Sequence, residues 1–341
     1  MKWSVAAPFI DVENITTTDP WLVPYVPGNN HELTIIPRPE PLPKWHTRKS
    51  KYTSVREWSV YMRHASSALN ASTEGIITAY PQLPAAIGLQ QALRFRKKPV
   101  IAWIFNVGTC STGLRRKLAQ FSLKDVNYFI VHTRREVNIY SQWLGLPKSR
   151  FEFVPYTGSE IPIEYHEDTE NPFITSLGSA HRDFPTFFEA VKRLNLKTVV
   201  ATSESAVQGV AVPEQVELPF GISRDDCLRL AQQARLSVLP LLPKKDVTAA
   251  GQVTIIDAMM MGRPLILTNL YGADDYVIHG ETGWLVKPNC VDSMTEAIDT
   301  LWHDHDLRRR ISHNARAYAL EHFSFSASGR QLGQVLDRFS F

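Results

Sequence analysis

The sequence predicts an α/β protein built from two doubly wound, Rossmann-like units in tandem, and three observations carry that prediction. Short β-rich runs alternate with helix-period runs along the whole chain, the rhythm of βαβ units around a parallel sheet. The alternation lapses once, between Tyr156 and Asn171, where Thr-Gly-Ser-Glu, nearby prolines and an acidic run read as a domain linker. The 341 residues, 44% of them hydrophobic, suffice for two domains of roughly 100–200 residues each.

In the first half, strands are expected at Trp3–Phe9, Leu33–Ile36, Gly75–Ala79, Val100–Phe105, Tyr128–Val131 and Phe151–Val154. Between them, Val55, Trp58, Met62, Ala65 and Leu69 keep the spacing of one helix face, and Ser54 with Glu57 has the spacing of a capping box. Leu114, Leu118 and Phe121 line a second helix face beside Arg115, Arg116 and Lys117. Such a helix docks on its own sheet or lies on a membrane surface. In the second half the order is strand Ile174–Leu177, helix Pro185–Leu194, strand Thr198–Ala201, helix Arg224–Arg235, strand Ser237–Leu241, helix Gln252–Met261 and strand Pro264–Thr268. Ser223 with Asp226 and Ser293 with Glu296 have capping-box spacing.

Composition narrows the functional classes. Met1–Ile10 is too brief and too soon followed by charge for a secretory signal, and no apolar run approaches the roughly 20 residues of a membrane span. Three cysteines, Cys110, Cys227 and Cys290, have neither disulfide-framework nor metal-ligand spacing. The expected location is therefore cytoplasmic, with peripheral attachment to the inner face of the plasma membrane as an extension. The net charge of +3 hides an asymmetry: residues 1–155 hold 20 Lys and Arg against 10 Asp and Glu, and residues 156–341 hold 17 against 24. Basic clusters at Lys44–Lys51, Arg94–Lys98 and Arg115–Lys117 suit an anionic membrane surface or a phosphorylated acceptor, or form a solvated face with no partner. A nucleic-acid partner would rest on these clusters alone and is not expected.

The chemistry concentrates between Ala249 and Pro288. Ala249-Ala250-Gly251 precedes the helix beginning Gln252-Val253-Thr254, a start where free amides and the helix dipole favour a diphosphate. Asp257, six residues after Gly251, can reach past the phosphates to accept ribose hydroxyls. Gly262-Arg263-Pro264 ends the helix and opens the next strand. The stretch continues through Gly272-Ala273-Asp274-Asp275-Tyr276 to Gly280-Glu281-Thr282-Gly283-Trp284-Leu285-Val286.

Over about forty residues, this order and spacing resemble the C-terminal signature of the family 4 (group 1) glycosyltransferases. The resemblance implies the GT-B fold, two Rossmann-like doubly wound domains facing across a cleft. It sets residues 1–158 as the acceptor side, with 322–341 packing back on it, and 172–321 as the donor side. It further implies transfer of a hexose from a nucleotide-diphosphate sugar to a carbohydrate or lipid-linked acceptor, with retention and without an essential metal or other cofactor. Asp257 matches the second acid of the family's Glu-x7-Glu pattern, which grips ribose; the first acid falls near Ala249, which carries none.

Ser176–Val191 is similar to the family's strand, glycine turn, basic residue and helix, and Arg182 falls where a basic residue neutralises the donor diphosphate. Ser179 and Thr202 are weaker donor-side candidates, completing a set with Gly251, Gln252, Val253, Thr254 and Asp257. In the first half, Asp11–Asp19 stands where related enzymes carry a glycine-rich loop, and Asn106 stands where they carry a histidine. Asn106 can bond a hydroxyl but not take its proton. His132, at the end of a strand, is either a third catalytic candidate with Arg182 and Asn106 or a cap on the next helix. The departures at Ala249 and Asn106 keep open an alternative, a non-catalytic GT-B-like protein that binds a nucleotide or glycan.

Overall fold

The computed structural model describes residues 1–11, 21–28, 30–42, 53–94 and 97–339. The loop 12–19, the Lys44–Lys51 cluster and part of the Arg94–Lys98 cluster lie outside them. The chain divides into two compact units, Met1–Pro155 with Phe325–Phe341, and Tyr156–Ser324.

The first unit is a six-stranded sheet in the order β2-β1-β3-β4-β5-β6, every pairing parallel. Its strands are β1 (Lys2–Ala6), β2 (Glu32–Ile35), β3 (Gly75–Ala79), β4 (Val100–Trp103), β5 (Tyr128–Val131) and β6 (Phe151–Phe153). Helices α1 (Val55–Asn70), α2 (Gln82–Gln91), α3 (Gly113–Leu123) and α4 (Arg134–Leu144) make the crossovers. The central strands are apolar on both faces because helices cover both, as in parallel sheets generally. Helix α1 starts with the expected box: Ser54 accepts from the Glu57 N–H, and Glu57 accepts from the Ser54 N–H at 2.6 Å. Gly88 lets α2 and α3 touch, since a Cβ there would collide with the Ser122 carbonyl. His64 is buried, its Nε2 on the Ile36 carbonyl at 2.7 Å, a structural role.

The second unit holds β7 (Ile174–Leu177), β8 (Thr198–Ala201), β9 (Val216–Glu217), β10 (Leu236–Leu239), β11 (Leu265–Thr268) and β12 (Trp284–Val286), in the order β12-β11-β10-β7-β8-β9. Its helices are α5 (Phe184–Leu194), α6 (Glu204–Val207), α7 (Arg224–Gln233), α8 (Gln252–Met260), α9 (Val291–His303) and α10 (His305–His322). Renumbered within the unit, this is the dinucleotide-fold order 3-2-1-4-5-6, whose direction reverses between β7 and β10. The first unit reverses instead between β1 and β3.

Two expectations need correction. The segment read as a linker, Tyr156–Asn171, belongs to the second unit. The Glu164 and Tyr165 N–H groups donate to the Gln232 side chain, which donates to the Pro162 carbonyl, while Glu167 pairs with Arg235 at 2.6 Å. Of the acids in that run, Glu167 thus finds a cation just past the end of α7. Ser293 does not cap a helix: α9 begins at Val291, and Ser293 accepts from the Lys287 N–H at 3.2 Å. The chain's last helix, α11 (Phe325–Asp337), belongs to the first unit, where Phe325 stacks on Tyr25 at 5.7 Å and Gly329 meets the Tyr25 backbone.

Candidate functional site

In open α/β sheets, ligands bind outside the carboxyl ends of the strands where the strand order reverses. In the second unit that point is β7/β10, and the turn leaving β7 holds left-handed backbone. Gly178 leaves β7 at φ +90° and His181 follows at +58°; at the end of β11, Tyr271 sits at +56°. Non-glycine residues hold such conformations only when their surroundings over-determine them, as at ligand sites.

The turn after β7 wraps around Arg182. Its guanidinium donates to the Leu177 carbonyl at 2.9 Å, to the Ala180 carbonyl at 2.6 Å and to Thr254 Oγ1 at 3.4 Å. A Cβ on Gly178 would lie 2.6 Å from Arg182 Nη2, so glycine is needed both for its backbone and for space. Among the described residues no carboxylate lies within ion-pair distance of Arg182. Burial pushes its pKa down to about 10, which leaves it fully cationic at neutral pH. Asp183 turns away to cap α5, accepting from the Thr186 N–H. His181 is held below its usual range by burial and then by Lys244 and Arg182, so it adds no charge at pH 7.

Thr254 ties this cation to the start of α8. Gly251 is the N-cap at φ +92°, and no side chain caps the helix, which leaves its first amides available to an anion. A Cβ on Gly251 would meet Leu239 at 3.0 Å. Gln252 turns inward toward the Tyr271 carbonyl at 3.4 Å, so toward a ligand it offers only backbone; Val253 is half exposed. Beyond the guanidinium, Ser179 accepts from Thr202 Oγ1 at 3.2 Å and from the Ser203 N–H at 2.8 Å, and Thr202 also donates to the Gly178 carbonyl. This pair braces the glycine turn.

A cavity of about 350 Å³ opens between α7 and α8 on the sheet face. Gly178, Ile222, Arg224, Cys227, Thr254 and Asp257 contribute to its walls. Asp257, with its side chain 16% exposed, pairs with Arg224 at 3.1 Å. Its pKa is raised, because burial outweighs the Arg224 charge and hydrogen bond that act in the opposite direction. Of the sequence-predicted donor-side residues, Val253, Thr254 and Asp257 line this cavity, while Arg182 reaches it only through Thr254 and Gly251 caps the helix that carries all three. Arg224 is absent from the sequence-based set. The Ser223 cap, which accepts from the Asp226 N–H at 3.1 Å, marks Arg224 as the first helical residue. Its pairing with Asp257 depends on α7 lying beside α8, which no spacing reveals.

Asn106 and His132 belong to the first unit, after β4 and β5 respectively. Asn106 Oδ1 accepts from the Gly108 N–H at 2.7 Å, holding the turn that follows Ile104, itself at φ +55°. His132 is 2% exposed; its Nδ1–H donates to the Val154 carbonyl at 2.8 Å, and its backbone N–H donates to Glu136 at 3.1 Å. Burial pushes its pKa down to about 4, which makes it neutral at pH 7. A depressed folded pKa stabilises the fold above the unfolded value of 6.5, and that stability is lost as pH falls through the folded value of about 4. The expected result is a loss on the order of 3 kcal/mol between those limits. Urea melts at pH 7 and pH 4.5 should show it in wild type and show it flattened in His132→Gln. An equal slope in both would assign the acid sensitivity elsewhere.

Among the described residues, no group of three or more His, Cys, Asp or Glu could hold a metal ion, and no helix is long and apolar enough to cross a membrane.

Residues 181–318 match the family model described as glycosyl transferases group 1. The capsular polysaccharide biosynthesis glycosyltransferase CapM of Staphylococcus aureus is 35% identical over 89 residues, 26% of this chain and 23% of that protein. The alpha-D-kanosaminyltransferase of Streptomyces kanamyceticus is 32% identical over 83 residues, 24% of this chain and 22% of that protein. The matched part thus spans less than a quarter of the length of these relatives. Over the whole chain the likeness is in fold. Sucrose-phosphate synthase from Thermosynechococcus elongatus superposes with a TM-score of 0.70 at 15% identity, covering 99% of both chains. Anabaena Alr3699/HepE, solved with UDP and glucose, gives 0.65 at 13%, covering 90% of this chain and 86% of that one. The fold is GT-B.

Proposed function

We propose that this GT-B chain, whose residues 181–318 match the group 1 glycosyl transferases, moves a hexose from a nucleotide-diphosphate sugar to a carbohydrate or lipid-linked acceptor. One observation carries the reading: a half-buried guanidinium with no carboxylate partner among the described residues is held against an uncapped helix start, beside a cavity lined by a carboxylate. A cation and free amides suit a diphosphate, and a carboxylate one step along the same helix suits ribose hydroxyls.

In this mechanism Arg182 and the amides at Gln252–Thr254 bind the diphosphate and stabilise the charge that grows as the C1–O bond to the β-phosphate breaks. Asp257, positioned by Arg224, accepts from the ribose, and Ser179 with Thr202 keeps the Gly178 turn in shape. The acceptor hydroxyl adds to C1 on the face the phosphate leaves. Its proton passes to the departing β-phosphate oxygen, giving a nucleoside diphosphate and a retained glycoside. No protein base is required, which fits an amide at Asn106 and a neutral, buried His132. Arg182 and the helix dipole supply the positive charge that a metal ion provides in other transferases, so no essential metal is invoked.

The test is a panel of UDP-, GDP-, dTDP- and ADP-sugars incubated with the purified chain and with soluble and lipid-linked acceptors. Expected is an acceptor mass gain of one hexose with matching nucleoside diphosphate release. Stabilisation by a nucleotide with no release under any acceptor would favour the non-catalytic binding protein instead.

A further inference from the structure

Helix α3 of the first unit turns its apolar stripe outward. Leu114, Leu118 and Phe121 are spaced i, i+4 and i+7 and so share one face. They are 82%, 56% and 48% exposed. The opposite side holds the helix to its unit. Leu123 and Ser122 are its buried residues, and Arg116 donates to the Gln142 and Trp143 carbonyls at the end of α4 at 2.8 Å each. A helix oriented to dock on its own sheet would show the reverse pattern, so burial within this unit does not account for the stripe.

The flanks carry one sign of charge. The helix has three basic residues and no acid. By helical geometry Arg115 lies to one side of the stripe and Lys117 to the other, with Lys124 following on the Lys117 side. Lys124 sits 4.7 Å over the Phe121 ring, joining the cationic flank to the apolar stripe. The nearest following acid, Asp125, is paired with Lys97 at 2.7 Å. Apolar side chains bounded by cations match the layering of an anionic bilayer surface, acyl chains below and phosphates at the level of the ammonium groups.

We propose that α3 seats the first unit on an anionic lipid surface and that the acceptor is therefore carried on a lipid. The location follows from chain order: α3 leaves the loop after β4, so Leu114 lies eight residues from Asn106 and starts at the carboxyl edge of the sheet, the edge where such sheets bind ligands. A stripe inserted in the acyl boundary holds that edge at the lipid surface. The lipid contact stands independently of the transferase reading; the acceptor class rests on it.

The experiment is co-sedimentation of the full chain with phosphatidylglycerol–phosphatidylcholine vesicles and with phosphatidylcholine vesicles, at about 50 and 500 mM salt. The comparison variants are Leu114→Ser/Leu118→Ser/Phe121→Ser and Lys117→Glu/Lys124→Glu. Wild type should pellet with the anionic vesicles at low salt. Each variant should lose about tenfold or more in partitioning, while its melting temperature and its stabilisation by UDP or GDP stay at the wild-type values. Transfer to a lipid-linked acceptor should then fall in the triple variant while transfer to a water-soluble one does not. Wild type remaining in the supernatant, or variants pelleting like wild type, would overturn the proposal. So would a wild-type dimer that the triple variant splits, since the stripe would then belong to a second copy. Vesicle binding without any nucleotide binding would leave the surface assignment intact and remove the transferase reading alone.

Discussion

Arg182→Ala is expected to cut affinity for a nucleoside diphosphate by about 10²- to 10³-fold, the scale of losing a preorganised charge-assisted contact of about 3–4 kcal/mol. The size follows from the site. The guanidinium is desolvated, no carboxylate neutralises it among the described residues, and four hydrogen bonds already fix its direction. Orientation is thus settled before the ligand arrives, and removal leaves the first phosphate with helix amides only. Arg182→Lys should recover the charge but not the forked geometry, and so only part of the affinity. Calorimetric titration with UDP and GDP reads the effect. Because the guanidinium stays protonated up to its pKa of about 10, affinity governed by this residue should hold level from neutral pH to about pH 9. Equal affinity in wild type and Arg182→Ala would take the phosphate away from this turn.

Asp257→Asn should separate binding from stability. A hydrogen bond from a ribose hydroxyl to a carboxylate is worth about 1.5–3 kcal/mol, so the variant should lose roughly 10- to 100-fold in nucleotide affinity. The unliganded protein should be no less stable at neutral pH, and more stable if anything. The folded pKa of Asp257 is raised by burial, so its contribution to stability is complete below the unfolded value of 3.8 and is lost as pH rises through the folded value. At pH 7 the fold carries a charge it would hold more easily as an amide. The same raised pKa means that nucleotide affinity in wild type should weaken as pH drops toward the acid range, and that Asp257→Asn should not share this trend. A variant that melts several degrees lower with unchanged affinity would make the Asp257–Arg224 pair structural.

The sequence carried the α/β alternation because each element announces itself locally. The strand Gly75–Ala79 and the capped helix starting after Ser54 appear where the side-chain pattern sets them, since period and caps are properties of adjacent residues. Arg182, Gly251, Thr254 and Asp257 were legible for the same reason: each stands at a strand end or helix start, and those points bind anions by backbone geometry. The missing information was relational. That Tyr156–Asn171 is a strap rather than a linker depends on Gln232 and Arg235 about seventy residues on. That Asp257 faces Arg224 depends on two helices lying side by side over one sheet. The outward turn of α3 was equally invisible, because an amphipathic pattern fixes which residues share a face and not which way the face points.

In the proposed mechanism the β7/β10 end of the second unit holds the diphosphate and ribose of a nucleotide donor. The most direct test of that placement is calorimetry of the purified chain with a set of nucleoside diphosphates and with the matching nucleosides, repeated for Arg182→Ala and Asp257→Asn. At least one diphosphate is expected to bind wild type, its nucleoside to bind far more weakly, and Arg182→Ala to bring the diphosphate close to the nucleoside value. Asp257→Asn should weaken both ligands by the same factor. Binding of no diphosphate to wild type, or binding that neither substitution changes, would contradict that placement.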